Sequence, residues 1–270
     1  MTRSGPVLFL LLATMVLGGC AQPNASPDKG PEESEKARQA RESAALDVPR
    51  IHPETHLASG RMLEEQGNFQ GAITQYEKAI ALRPDFAPAY NSLGILYQRL
   101  GRPEDAEQIL RQGIKARQAS SARDPSRPDA ALAMLHNNLG VCHLARTRFA
   151  EAERCFRTAL TISPNFQRAR MNLAISLAHL GQTQASLATF AEVVPDDVAH
   201  YNLAAVLAAR GDQAGARHAL EEALKINPDC PGAREQLARL QSDPDPNLLQ
   251  VRPMAPPAAI SADLRDPGGP

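Results

Sequence analysis

The chain has 270 residues, of which 43% are hydrophobic and only 4% aromatic, with no tryptophan. This composition is typical of closely packed helices rather than of sheets, which favour aromatic and β-branched residues. A formal net charge of −1 excludes a global field that would draw the chain to nucleic acid, and four scattered cysteines are too few for a disulfide framework.

Residues 1–19 have the three parts of an export signal: a positive start at Arg3, an apolar run from Val7 to Leu17, and small residues after it. As a helix this run would rise about 16 Å, roughly half of the hydrocarbon core, so it is too short for a permanent span. It ends in Leu17-Gly18-Gly19-Cys20, which resembles a lipobox, the cleavage and acylation motif of bacterial lipoproteins. The resemblance implies lipidation of Cys20 and a lipid anchor in the bacterial cell envelope.

Ala21 follows the cysteine at a position where an aspartate marks inner-membrane retention in lipoproteins of double-membrane bacteria. The resemblance therefore favours the outer membrane, with the chain facing the periplasm. The alternative is an ordinary secretory signal in which Cys20 is incidental. Residues 20–52 form a polar tether, in which Glu32 to Leu46 are compatible with either a charged helix packed on the following domain or a soluble stalk.

From Pro53 onward, a pattern of small residues recurs at the eighth, twentieth and twenty-seventh positions of a unit of about 34 residues. The small positions are Gly60, Ala72 and Ala79 in the first unit, Gly94, Ala106 and Gly113 in the second, Gly140, Ala152 and Ala159 in the third, and Ala204, Ala216 and Ala223 in the fifth. The pattern resembles the tetratricopeptide repeat, a helix–turn–helix unit. The resemblance implies an all-α fold, a right-handed superhelical solenoid of antiparallel helix pairs.

Two units depart from this spacing. The second and third start at Ala87 and Ala133, further apart than usual, which predicts a second helix prolonged to about Ala122 and then a linker. The fourth is short, so its second helix should end before Pro195 and leave a weak interface. The predicted organisation is repeats 1–2 at 53–120, a linker at 121–132, repeats 3–5 at 133–230, a capping helix at 231–241 and a Pro-rich disordered tail at 242–270.

No phosphate loop, catalytic triad or paired-carboxylate motif is present, so the sequence predicts a non-enzyme without cofactor or metal. His56, His136, His143 and His200 fall where the family has large packing residues, and His52 with His56 lacks a third metal ligand. Cys142 and Cys155 are compatible with buried thiols or with a disulfide. Glu107 and Arg111, four residues apart, predict an ion pair on a helix face.

The first helix of the third, fourth and fifth repeats carries an amide side chain at the sixth position of the repeat. This amide column consists of Asn138, Asn172 and Asn202, with Ser92 at the same position of the second repeat. The column resembles the asparagine ladder that grips peptide backbones in O-GlcNAc transferase; the alternative is that these amides help to pack the helices. Around them Arg168, Met171 and Tyr201 are predicted to line the groove. The residues of the family's clamp for acidic C-terminal tails are absent as a set, so the expected partner is a protein segment with apolar anchors.

A signal of this type followed by these repeats is similar in architecture to the tetratricopeptide lipoproteins of tight-adherence (Flp) pilus systems and, more distantly, to type IV pilus pilotins. The resemblance implies an adaptor for pilus or secretion assembly in the envelope. The alternatives are an adaptor for cell-wall hydrolases or for general periplasmic protein interactions, and a non-catalytic subunit of an envelope enzyme.

Overall fold

The computed structural model describes residues 52–121 and 129–242. The predicted signal with Cys20, the tether up to residue 51, most of the linker and the Pro-rich tail lie outside these residues. The described part is all-helical and forms a right-handed superhelical solenoid of antiparallel helix pairs, as predicted. Its helices are α1 Pro53–Glu65, α2 Phe69–Leu82, α3 Ala87–Arg99, α4 Pro103–Ser121, α5 Ala130–Ala145, α6 Phe149–Ile162, α7 Gln167–His179, α8 Thr183–Ala191, α9 Asp196–Ala209, α10 Gln213–Ile226 and α11 Ala233–Ser242.

The odd-numbered helices from α1 to α9 are the first helices of the five repeats and are called A helices below. The even-numbered helices from α2 to α10 are the second helices and are called B helices. Small residues allow the two helices of a repeat to approach closely. In the third repeat, for example, a Cβ added to Gly140 would lie 2.5 Å from Cε1 of Phe156, which is itself fully buried. Ala152 and Ala159 on the same B helix are also fully buried. The spacing of small residues therefore positions the helix pairs, as expected.

The turn between the A and B helices requires a left-handed residue. Glycine supplies it in four repeats, at Gly67, Gly101, Gly181 and Gly211, with φ between 70° and 86°. In the third repeat Thr147 takes the same position with φ 56°. A β-branched side chain is disfavoured in this conformation, so this turn is strained.

The long connection between the second and third repeats is anchored on both sides. Helix α4 runs to Ser121, and α5 already begins at Ala130, inside the range expected for the linker. Asp129 caps α5 by accepting a hydrogen bond of 3.0 Å from the backbone N–H of Leu132. Arg117 of α4 donates to Asp129 at 2.8 Å and lies 3.6 Å from Asp85. Residues on either side of 122–128 are thus held together.

The fourth repeat is the irregular one. Its B helix, α8, spans only Thr183–Ala191 and ends before Pro195, as the sequence predicted. Ser186 replaces the usual small apolar residue, is fully buried, and donates to the backbone oxygen of Ala174 at 2.8 Å. None of the described helices combines the length and apolar character needed to cross a membrane.

Candidate peptide-binding groove

The A helices form the inner surface of the solenoid. Each A helix contacts the A helix of the next repeat, whereas the B helices α4, α6 and α8 pack against the A helix that follows them. Helices that touch their counterparts in successive repeats lie on the shorter arc of a curved stack. The concave surface is therefore lined by A-helix side chains, which is where a solenoid binds its partners.

A chain of side-chain amides crosses this surface. Asn172 donates to Asn137 at 3.0 Å, Asn137 donates to Asn138 at 3.1 Å, and Asn138 donates to Asn91 at 3.0 Å. These bonds connect α7, α5 and α3. Asn91 and Asn137, at the fifth positions, were not singled out by the sequence reasoning, although Asn137-Asn138 and Asn91-Ser92 are visible as polar pairs. The amides thus bond to one another across repeats, and the Asn172 oxygen takes no part in the chain.

The other predicted groove residues differ in exposure. Arg168 is half-buried, and its side chain makes no ion pair or hydrogen bond within the described ranges. Met171, Tyr201 and Ser92 are 9%, 5% and 2% exposed, and Asn202 is fully buried. Residues 201–208 of α9 are all buried because α7, α8 and α10 contact this helix and α11 side chains join the same core.

The segment leading into α11 covers Tyr201. A Cβ added to Gly232 would lie 3.1 Å from the tyrosine oxygen. Tyr201 and its neighbours are therefore shielded from solvent in this conformation, whereas Asn138, Asn172 and Arg168 remain partly exposed to solvent.

Apolar side chains run beside the amides. Ile95, Val141 and Ile175 occupy the ninth position of three successive A helices, and all three are half-buried. The corresponding residue of α9 is Ala205, which is buried. The accessible stripe consequently spans the second to fourth repeats and offers partly exposed aliphatic surface next to hydrogen-bonding amides.

The cysteines and histidines have structural positions. Cys142 and Cys155 are free thiols, and burial raises the pKa of each to about 11. Cys142 accepts a hydrogen bond of 2.7 Å from Gln98 on the neighbouring A helix. Because the thiolate is the reactive form, thiols with so high a pKa are weak nucleophiles at neutral pH. Among the histidines, burial lowers the pKa of His136 and of His143.

Within residues 52–121 and 129–242, no cluster of three His, Cys, Asp or Glu side chains has a geometry for binding a metal. His56 instead hydrogen-bonds the Gln75 side chain at 2.7 Å, and His52 is exposed.

An ionic cluster fastens the second repeat to the third. Glu107 pairs with Arg111 at 2.9 Å, which confirms the predicted pair, and also with Arg146 at 3.1 Å and with Arg148. Burial alone would raise the pKa of Glu107, but hydrogen bonds from Arg111 and Arg148 outweigh it, and the pKa is lowered. Arg146 and Arg148 flank the strained Thr147, so the A–B turn of the third repeat is attached to α4.

Comparison with known proteins agrees with this architecture. Models described as TPR repeat or tetratricopeptide repeat match residues 60–101, 87–124, 133–166, 167–192 and 197–240. The matches fall on all five helix pairs, including the short fourth one.

Curated relatives share part of the chain. Protein FlbA of Caulobacter vibrioides is 29% identical over 151 residues, 46% of this chain and 25% of the relative. BBSome complex member bbs-4 of Caenorhabditis elegans is 28% identical over 144 residues, 43% of this chain and 30% of the relative. The chain thus spans less than a third of the length of either relative.

Solved structures share the fold. PilW, described as a widely conserved type IV pilus biogenesis factor, has a TM-score of 0.50 at 22% identity, covering 75% of this chain and 90% of that one. PilF of Pseudomonas aeruginosa has a TM-score of 0.50 at 20% identity, covering 75% and 89%. The five matched repeats and their stacked helix pairs show that the chain belongs to the tetratricopeptide repeat family, whose fold is a protein-interaction scaffold.

Proposed function

We propose that this protein is a membrane-tethered, non-catalytic adaptor that holds a segment of a partner protein in its A-helix groove during assembly of a pilus or secretion machine in the bacterial envelope. The observation that carries the proposal is the stripe of Ile95, Val141 and Ile175 beside the amides of Asn138 and Asn172. Aliphatic surface takes apolar anchors, and an amide pairs with a peptide unit whatever its side chain.

Charge favours a particular kind of segment. Arg168 is half-buried next to the stripe and has no counter-charge within the described ranges. A partly desolvated guanidinium favours a carboxylate partner, because charge-assisted hydrogen bonds are the stronger ones. The expected partner segment therefore combines apolar anchors with an acidic residue near the fourth repeat.

The membrane part of the proposal rests on the lipobox-like end of residues 1–20. A diacylglycerol on Cys20 with a further acyl group would exceed the single chain that gives only marginal binding, so anchoring would be stable. The tether would leave the groove free to meet partners near the periplasmic face of the outer membrane. The fold that this chain shares with PilW and PilF supports the pilus role.

A photo-crosslinking amino acid placed at Ile95, in the full chain expressed in its own bacterium, tests the groove. The control places it at Leu82, which is 53% exposed on a B helix. We expect a discrete adduct from position 95 alone, identified by mass spectrometry as a pilus or secretion component. A cell-wall hydrolase would replace the assembly role, and identical adducts from both positions would refute binding in the groove.

A second pair of variants asks whether the amides hold the partner or only brace the helices. Asn137→Ala removes the hydrogen bonds to Asn138 and Asn172 but keeps both sixth-position amides. Asn138→Ala combined with Asn172→Ala removes the amides themselves. Partner capture should fall more in the double variant; equal losses would identify the amides as a brace alone.

The anchor is tested by metabolic labelling with a fatty-acid analogue. Cys20→Ser should abolish the label and release the chain from the membrane fraction. Labelling that persists in this variant would contradict lipidation at Cys20 and leave the groove proposal untouched.

A further inference from the structure

The amides follow one rule of register. A sixth-position residue donates to the fifth-position residue of the preceding repeat: Asn138 to Asn91, and Asn172 to Asn137, both at 3.0 Å. The rule requires a polar residue at the preceding fifth position. For Asn202 of the fifth repeat, the preceding fifth-position residue is Met171.

The consequence is visible at Asn202. Its side chain is fully buried, and neither its amide nitrogen nor its amide oxygen has a hydrogen-bond partner among the residues that the structure describes. Ser92, at the other end of the column, also lacks an amide partner in the preceding repeat, because the preceding fifth-position residue is Leu57; its hydroxyl faces Tyr76 instead. A buried polar group without a partner loses its hydration and gains nothing in return.

The junctions between repeats therefore differ in their polar contacts. Between the second and third repeats, Asn138 bonds to Asn91, Gln98 bonds to Cys142, and the Glu107 cluster adds ion pairs. The long connection thus does not divide the solenoid there.

Between the third and fourth repeats, Asn172 bonds to Asn137, and the His179 ring stacks on Phe149 at 4.2 Å between centroids.

The junction between the fourth and fifth repeats is mainly apolar. Met171, Tyr201 and their neighbours share one core, and a polar bond joins the far ends of the A helices, from Arg210 to the backbone oxygen of Ala178 at 2.8 Å. Helix α8, which should pack this junction from the outer side, has nine residues where the other B helices have 14 or 19.

We propose that the solenoid opens preferentially between its fourth and fifth repeats, and that the unpaired amide of Asn202 lowers the cost of this opening. In the open form the amide regains hydrogen bonds. Met171, Asn202 and Tyr201, three residues of the predicted groove, move from the interior to the surface. Opening thereby exposes the C-terminal end of the groove to a partner. It depends on the proposed function only for what the open form binds.

Methionine oxidation measures the opening without any partner, so its outcome is independent of the binding experiments. Met171 is 9% exposed at the junction, and Met62 is 54% exposed on the first repeat. The full chain is treated with hydrogen peroxide, and both residues are followed by mass spectrometry. Met171 should react more slowly than Met62, at a rate set by opening.

Leucine at two equivalent positions gives the decisive comparison. Asn202→Leu removes an unpaired amide and should slow oxidation of Met171 about tenfold while leaving Met62 unchanged. Asn172→Leu makes the same change where the amide is bonded, leaves the oxygen of Asn137 without its donor, and should not slow it. Asn202→Ala, which adds no bulk, repeats the test if leucine disturbs folding. An unchanged Met171 rate in both Asn202 variants, or equal slowing in Asn172→Leu, would overturn the proposal.

Discussion

The left-handed turn at Thr147 yields a quantitative prediction. Thr147→Gly relieves a conformation that costs an L-residue about 1–2 kcal/mol. Glycine in turn adds about 0.4–1 kcal/mol of entropy to the unfolded chain. The difference between the midpoints of these two ranges predicts that the free energy of unfolding rises by about 0.8 kcal/mol, equivalent to about 2–3 °C in Tm for a domain of this size.

The measurement is urea unfolding of the full chain followed by circular dichroism at 222 nm, with Gly101→Ala as the matched control. Gly101 holds the same turn position with φ 70°, and a Cβ there would meet nothing within 4 Å. Its replacement should lower stability by a similar amount for purely conformational reasons. A Thr147→Gly variant that is less stable than the parent would refute the strain argument and show that the threonine side chain itself stabilises the turn.

Two further predictions concern the junction of the second and third repeats and the interior of the third. Glu107→Gln should cost about 1–3 kcal/mol at pH 7, because it weakens charge-assisted bonds from Arg111 and Arg148. Folding lowers the pKa of Glu107, so the stability that its carboxylate contributes is present above about pH 4.5 and is lost as the pH falls through the folded-state pKa. If the difference in free energy of unfolding between parent and variant stayed constant from pH 7 to pH 3, this reasoning would be contradicted. Gly140→Ala should cost about 1–3 kcal/mol in the same urea assay, because the added methyl group meets the Phe156 ring; an unchanged midpoint would mean that the ring moves aside freely.

The helix pairs were predictable because their determinants recur within a single sequence. Gly140 and Ala152 are small where the helices of a repeat cross, and equivalent residues return in other repeats. The short α8 was predictable for a related reason, since Pro195 comes too early for a helix of ordinary length. Both features depend on residues that act within one repeat.

The network on the concave surface depends on residues from different repeats, and the sequence reasoning found only half of it. Asn138 was identified as a groove residue, but its amide is bonded to Asn91, 47 residues earlier in the chain. Whether a sixth-position amide is engaged or free depends on that earlier residue. Asn202 differs from Asn172 for this reason, although the two positions are equivalent in their own repeats.

The contacts of Arg117 with Asp85 and Asp129 have a consequence for changing the chain. Arg117, near the end of α4, and Asp129, just before α5, are bound to each other on the two sides of residues 122–128, and Arg117 also lies 3.6 Å from Asp85. Extra sequence placed between these points would extend a connection whose ends are already fixed, and each doubling of its length would cost only about 0.6 kcal/mol. A folded reporter module could therefore be inserted here while the register of the five repeats is preserved.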